Sequence, residues 1–476
     1  MIRETFDVAV LGSGFAGSLT ALLLHLRGKR VVLLERGSHP RFALGESSTP
    51  LGNLSLEVIA REYGLDWLAP LAEYGSWKAA YPDLVVGLKR GFTFVEQSPG
   101  VPYHAKADHA GELLVEASPD DARADTHWLR ADFDHFLVGK AIESGVVYLD
   151  RVSVAIDPTI RPWRLTGMRD GEPVEITARF LVDATGPAGA LSQALGIDCS
   201  PLGMKTNSRA VFNHFVGLER WEDVLARHGG RPDEHPYPCD DAAVHHVLAE
   251  GWMWQLRFEN GVTSAGVLYD AECGAVPDWD RTLARYPALV EQFRDARPVL
   301  PWVTTGRLQR RARATAGVDW AMLAPAAYSL DALYSTGNAH ALHTVERLMR
   351  LFPTWTDGRD YDAPLQREID FLDRLVHGTY CSMRDFGVLA HFAMYYFAGA
   401  ISAEERRRRG DAGPGEEFLS SHIPAFRAAV MRAHDAVDAA ELPDVAVFGA
   451  RVAADLAPWN TTGLCEARKR NLYAYG

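Results

Sequence analysis

The stretch FDVAVLGSGFAGSLTALLLHLRGKRVVLLE, residues 6–35, decides the fold. FDVAVLG suits a buried strand, SLTALLLHLRG a helix and RVVLLE a second strand, so the segment reads as a β-α-β unit. Gly12, Gly14 and Gly17 fit G-x-G-x-x-G. The first permits a tight turn, the second lets backbone approach a pyrophosphate, and the third lets helix meet strand. Glu35 ends the second strand, where an acid accepts ribose hydroxyls. The expected dinucleotide contacts are therefore Gly12, Ser13, Gly14, Phe15, Ala16, Gly17, Glu35 and the adjoining Arg36. No second G-x-G-x-x-G follows a strand, so one dinucleotide must suffice.

The rest of the chain sets limits on this reading. Its 476 residues predict two or three packed sub-domains, and 47% hydrophobic with 23% charged residues is the balance of a globular protein. A net charge of -13 argues against an extended nucleic-acid surface and against anionic membranes. The five cysteines form no C-x-x-C pair, which suggests neither a zinc site nor a disulfide framework and fits a reducing cytoplasm. The 17 histidines show no H-E-x-x-H spacing, so no metal is expected. The N-terminus enters a strand with no apolar leader ahead of it, and a cytoplasmic location is expected. Residues 386–403 are uncharged over a length near the lower limit for a membrane span. Their histidine and tyrosines, with EERRRR following, predict a buried aromatic helix and no span.

Downstream, residues 126–150 predict a helix with Phe133, Phe136, Leu137 and Ala141 on one side, followed by a strand, and 178–186 a further strand. Residues 205–310 hold short aromatic strand-like pieces, and from 338 onward the pattern is mainly helical. GLKRGFTF, residues 87–94, alternates like a half-buried strand, with Leu88, Arg90, Phe92 and Phe94 on one face and Lys89, Gly91 and Thr93 on the other. A lysine within such a strand needs a reason.

GSGFAG (12–17), PRFALGESSTP (40–50), RADFDHFL (130–137), DATG (183–186) and SLDALYSTGNAH (329–340) follow one another in that order. Together they resemble the FAD-dependent halogenases, relatives of the single-component aromatic hydroxylases. The resemblance implies an α/β fold: a discontinuous Rossmann-like FAD domain (1–100, 125–200 and 311–350), a sheet-rich substrate domain (201–310) and a helical C-terminal region (351–476). It implies FAD, reduced by a separate flavin reductase, and chloride or bromide as co-substrate. The substrate would be an electron-rich aromatic or enolic small molecule, free or carrier-bound. Ser47, Arg130 and Asp331 would meet the cofactor, and the amides of Thr336 and Gly337, at a helix start, would hold halide. An essential lysine should follow GES. Lys89, in K-x-G-x-x-F context, is preferred over Lys78, and either would need shelter to lose its proton.

There are also departures from the family pattern. Trp252, Met253 and Trp254 begin W-x-W-x-I-P, but Gln255, Leu256 and Arg257 finish it differently. Tyr334 stands where tryptophan-specific members carry glutamate, which disfavours free tryptophan as substrate. Trp252, Trp254, Phe392 and Tyr395 are the expected apolar pocket walls. The broken motif leaves two alternatives: a flavin monooxygenase or reductase that works without halide, and a non-catalytic flavin-binding partner protein.

Overall fold

β1 (Ile2–Leu11), α1 (Phe15–Leu26) and β2 (Val31–Leu34) form the β-α-β unit of the computed structural model, which describes residues 2–201, 203–274, 276–413 and 415–476. β1 and β2 run parallel, Val8 opposite Val31 through Leu11 opposite Leu34. β2 is buried on both faces, and α1 is buried along nearly its whole length, which is why both read as unbroken apolar runs. α2 (Pro50–Tyr63) is punctuated by its ends: Thr49 caps it by accepting from the Gly52 amide, Pro50 opens it, and Gly64 closes it with φ of 65°.

The expected strand 87–94 is two strands. β3 (Val86–Lys89) and β4 (Gly91–Glu96) part at Arg90, whose amide bonds Asp241 and whose guanidinium pairs with Asp121 and Glu116. β5 (Glu112–Glu116) pairs with β4, whereas β6 (Asp125–Trp128) pairs antiparallel with β3 and puts Asp125 opposite Lys89. α3 (Arg130–Glu143) buries Phe133, Leu137 and Ala141 and leads into β7 (Val147–Leu149) beside β2. β8 (Val152–Asp157), β9 (Trp163–Arg169) and β10 (Glu172–Asp183) form an antiparallel run, and β10 continues parallel to β1 up to Leu11 opposite Asp183.

Among the described residues the second sheet has nine strands. β11 (Ser208–Val216), β12 (Ala243–Leu248), β13 (Gly251–Arg257) and β14 (Val262–Asp270) stand in the order β11-β14-β13-β12, followed by β4 and β5. Residues 91–116 thus belong to this sheet and are joined to it by the parallel pairing of β4 with β12. β15 (Trp320–Met322) returns to the first sheet beside β10.

Five long helices complete the chain: α4 (Thr336–Leu351), α5 (Arg359–Ser382), α6 (Phe386–Arg409), α7 (Pro424–Val437) and α8 (Val445–Leu456). Among the described residues, α6 alone is long and apolar enough to cross a membrane. Its most apolar window is 78% buried inside the protein, the pattern of a core helix. Asp385 caps it through the amides of Gly387 and Val388.

Candidate active site

The nucleotide cradle is built by exclusion. Gly12 has φ of +94°, and a Cβ there would lie 2.5 Å from the Ala184 carbonyl oxygen; a Cβ on Gly17 would lie 2.0 Å from that of Gly12. Buried Ser13 donates to Glu35 Oε2 from its amide (3.1 Å) and its hydroxyl (3.0 Å), and the Gly37 amide donates to Oε1 (2.8 Å). Burial would raise the Glu35 pKa, but the Gly37 and Ser13 hydrogen bonds and the Arg41 charge outweigh it and hold the carboxyl below its usual range. Beside it, His39 Nδ1 and Arg41 Nε are buried without partners. A cradle closed to side chains, an ionised acid and two orphaned nitrogens fit the adenosine and pyrophosphate end of FAD. Arg36, next to Glu35, is exposed.

Arg130 joins this cradle to the loop at 44–48. Its Nε and Nη2 fork onto Asp134 at 2.8 Å each, and its Nη1 donates to the carbonyls of Leu44 (2.8 Å) and Gly45 (3.0 Å). Its guanidinium lies 4.8 Å from the Phe15 ring, at the start of α1, where Asp134 accepts from the Phe15 amide. The start of α4 reaches the same loop. Asn338 donates to the carbonyls of Gly45 (2.9 Å) and Ser47 (3.2 Å). Ser47 itself is buried, and its backbone bridges to His127.

Lys89 holds the loop from a third side. It is fully buried, its Nζ donates to the Ser48 carbonyl at 2.5 Å, and it stands 4.0 Å over the Phe92 ring. Asp125 is buried opposite. Its Oδ1 accepts from Asn53 Nδ2 at 2.6 Å, and its Oδ2 has no partner. Burial draws the Lys89 pKa down to about 8 and pushes that of Asp125 up to about 7, each partly offset by the other's charge. Burial, with the Lys89 charge adding to it, drives His127 and His245 down to about 3, so both rings are neutral.

α4 is entered through strain. Tyr334 (φ 63°) and Ser335 (φ 53°) are both left-handed, each at about 1 kcal/mol or more for a non-glycine residue. Tyr334 is over-determined: its hydroxyl meets Thr379 Oγ1 at 2.7 Å, its ring stacks on Tyr396 at 4.3 Å, and its carbonyl accepts from the Tyr396 hydroxyl at 2.9 Å. Next to buried Thr336, a Cβ on Gly337 would meet nothing within 4 Å, so the helix start faces open space.

Residues 126–395 match the tryptophan halogenase family, and residues 7–211 match the FAD dependent oxidoreductase family. The chain belongs to the tryptophan halogenase family. It is a flavin-dependent, halogenating oxidoreductase with FAD as cofactor and halide as co-substrate. It is 29% identical over 421 residues to the monodechloroaminopyrrolnitrin halogenase PrnC of Pseudomonas fluorescens, covering 84% of this chain and 72% of the relative. It is 28% identical over 408 residues to the tetracycline 7-halogenase of Kitasatospora aureofaciens, covering 80% and 71%. In fold it resembles the halogenase PltM in complex with phloroglucinol and FAD, with a TM-score of 0.87 at 22% identity over 98% of this chain and 99% of that one.

Several expected site residues of this halogenase lie elsewhere. Lys78 rides the helix Tyr74–Ala80, about a third exposed, with its ammonium on Glu259 at 2.5 Å. It is a surface ion pair, not a sheltered amine. Asp331 accepts from Ser208 Oγ (2.5 Å), the Tyr380 hydroxyl (2.9 Å) and the Leu333 amide (3.0 Å), so it ties β11 to α5. Burial raises its pKa to about 6. Phe392 packs onto Gly378 of α5, and Tyr395 donates to Asp455 of α8 at 2.9 Å. The α6 residues that reach Phe92, the ring beneath the amine, are Tyr396 and Phe397, at 5.7 and 5.5 Å. Trp252 stacks on His245 at 4.9 Å and donates to the Tyr380 hydroxyl, while Trp254 donates to Ser264 Oγ at 3.2 Å. Asp125, Asn53, His245, Tyr396 and Phe397 escaped the sequence reading. Only the 3.6-residue period of α6 hinted at the last two, and it does not say which face meets β4.

Proposed function

We propose that Lys89 is the halogen-carrying residue and that the amides of Thr336 and Gly337 hold the halide. The observation that carries this reading is the loop at 44–48, gripped by Lys89 through Ser48 and by Asn338, in the first turn of α4, through Gly45 and Ser47. It brings a desolvated amine and a helix N-terminus to one short segment. The cradle residues Gly12 to Gly17 with Glu35 would bind the adenosine and pyrophosphate end of FAD, and Ser47 and Arg130 would flank its redox end. Once bound and reduced by a separate flavin reductase, FAD would supply an electrophilic halogen from oxygen and halide.

Lys89 then does what a solvated lysine cannot. Its lowered pKa leaves part of it as neutral amine near pH 8, able to exchange an N–H proton for the halogen of hypohalous acid with loss of water, and then to exchange that halogen for a ring proton of the substrate, which restores the amine; Asp125 balances the charge of the ammonium form. Phe92, Phe94, His245, Trp252, Tyr334 and Tyr396 make an aromatic, uncharged surround. That favours an electron-rich arene or enol, free or attached to a carrier protein, over a zwitterionic amino acid. The two relatives are named for monodechloroaminopyrrolnitrin and tetracycline, not for tryptophan, which supports this choice.

The test is product formation from a panel of phenols and anilines with FAD, a flavin reductase, oxygen, and chloride or bromide. Halide-dependent products from the wild type and from Lys78→Ala, but not from Lys89→Ala, are the expected result. Halogenation undiminished in Lys89→Ala would overturn the assignment.

A further inference from the structure

A second cluster lies away from the amine, where α5 crosses the end of α7. His377 and Cys381 are one turn apart on α5, and His434 and Asp438 are one turn apart at the C-terminal end of α7. We propose that His377, Cys381 and Asp438 form a zinc site that pins these two helices together.

The donor set and its spacing carry the proposal. One donor atom from each of the three residues lies within 4.8 Å of the others. Cys381 Sγ is 3.6 Å from His377 Nδ1, 3.8 Å from its Nε2 and 3.8 Å from Asp438 Oδ1. A tetrahedral zinc with Zn–S of about 2.3 Å and Zn–N or Zn–O of about 2.0–2.1 Å sets its donors roughly 3.3–3.6 Å apart, so the sulfur already stands near ligand separation from the other two residues, and the His377 ring must turn to aim a lone pair at the ion. Sulfur, nitrogen and carboxylate oxygen together suit a borderline-soft divalent ion and exclude magnesium or calcium.

The surroundings are those of a ligated histidine. His377 Nδ1 lies 3.0 Å from His434 Nε2, and His434 Nδ1 lies 3.3 Å from Asp435 Oδ1. In the tautomer where each Nδ1 donates, this relay leaves the lone pair of His377 Nε2 free for a metal. His377 and His434 are buried, while Cys381 and Asp438 open onto a cavity of about 610 Å³ that also bears Asp270, Glu272 and Cys273. That leaves a fourth position for water. Two cations stand against the site: Lys205 Nζ is 3.2 Å from Asp438 Oδ2, and Arg384 lines the cavity. The acidic residues on the same wall offset them. Metal binding releases the Cys381 thiol proton to solvent and replaces it with a Zn–S bond.

The site also bears on the rest of the molecule through α5, which supplies Thr379 to Tyr334 and Tyr380 to Asp331. A pinned α5 braces the aromatic surround of Lys89.

The experiment is titration of chelator-treated full-length protein with Co²⁺ and with Zn²⁺. Expected is one tightly bound equivalent whose Co²⁺ form shows a thiolate-to-cobalt charge-transfer band in the near ultraviolet. The band is lost in Cys381→Ser and weakened at least tenfold in affinity in Asp438→Asn, a partly exposed change that spares the fold. It persists in Cys239→Ser, which removes the sulfur of the Glu222, Cys239 and Asp240 cluster. The His109, Glu112 and His235 cluster has no sulfur and cannot produce the band. Zn²⁺ should raise the wild-type melting temperature by a few degrees and leave that of Cys381→Ser unchanged. A protein that binds no Co²⁺ at micromolar concentration, or whose band survives Cys381→Ser, overturns the proposal whether or not halogenation is observed.

Discussion

Lys78 and Lys89 lie within one short stretch of chain, yet one ends on the last turn of a surface helix against Glu259 and the other beneath a strand, a loop and an aromatic ring. Their intrinsic chemistry is the same. Lys78 keeps its hydration, so its ion pair is screened and contributes little. Lys89 has been stripped of water by residues from β4, β6 and the loop at 44–48, and it expresses that loss as a lowered pKa. Reactivity here comes from desolvation arranged by distant segments rather than from the residue type.

The largest test of this contrast is Lys89→Met. Halogenation should fall by about 10³-fold or more while FAD still binds, as read by quenching of flavin fluorescence, whereas Lys78→Met should stay within about twofold. A reversal of those two results would break the comparison. Next is Gly337→Val, which fills the open space at the start of α4. It should raise the half-saturating halide concentration roughly 10- to 100-fold and leave affinity for the aromatic substrate unchanged.

Stability against pH sharpens the contrast further. The folded pKa of Lys89 is lowered from 10.5 to about 8, so the folded state has released a proton that the unfolded state still binds between those values. Wild-type stability should therefore climb relative to Lys89→Met as pH rises from about 8 to 10.5, by on the order of 1–3 kcal/mol in chemical denaturation. Asp125 works in the opposite sense. Its folded pKa is raised from 3.8 to about 7, so its contribution is present at low pH and lost as pH rises through that window, and Asp125→Asn should abolish this slope. Smallest is the Lys78–Glu259 pair, whose coupling in a double-mutant cycle should be below about 1 kcal/mol and should fade in high salt.

The cradle was legible because its cause is local: three glycines, a strand on either side and an acid at a fixed distance. That GES, R-x-x-F-D and S-T-G matter together followed from family resemblance, whereas their meeting at one loop is set by the hydrogen bonds of Arg130 and Asn338. Asp125 was not legible, because a carboxylate next to a threonine carries no sign that β6 will lie across from Lys89. The partners of Asp331 were hidden for a related reason: Ser208 and Tyr380 come from a remote strand and a remote helix. Phe392 and Tyr395 lie on the expected buried helix, where their neighbours Gly378 and Asp455 come from segments the sequence does not place beside it. The break at Arg90 defeated the alternation reading, since Glu116, Asp121 and Asp241 that hold it are all distant in sequence.

That break has a practical meaning for redesign. Lys89 hangs from the β3–β6 ribbon, while the strands β11 to β14 belong to the neighbouring sheet. An engineer could graft different walls onto this scaffold by exchanging those four strands and still inherit the amine in its original seat. The graft must keep one spot unchanged: the Arg257 backbone presses so closely on Gly87 that a single added methyl group would lie 1.9 Å from its carbonyl oxygen.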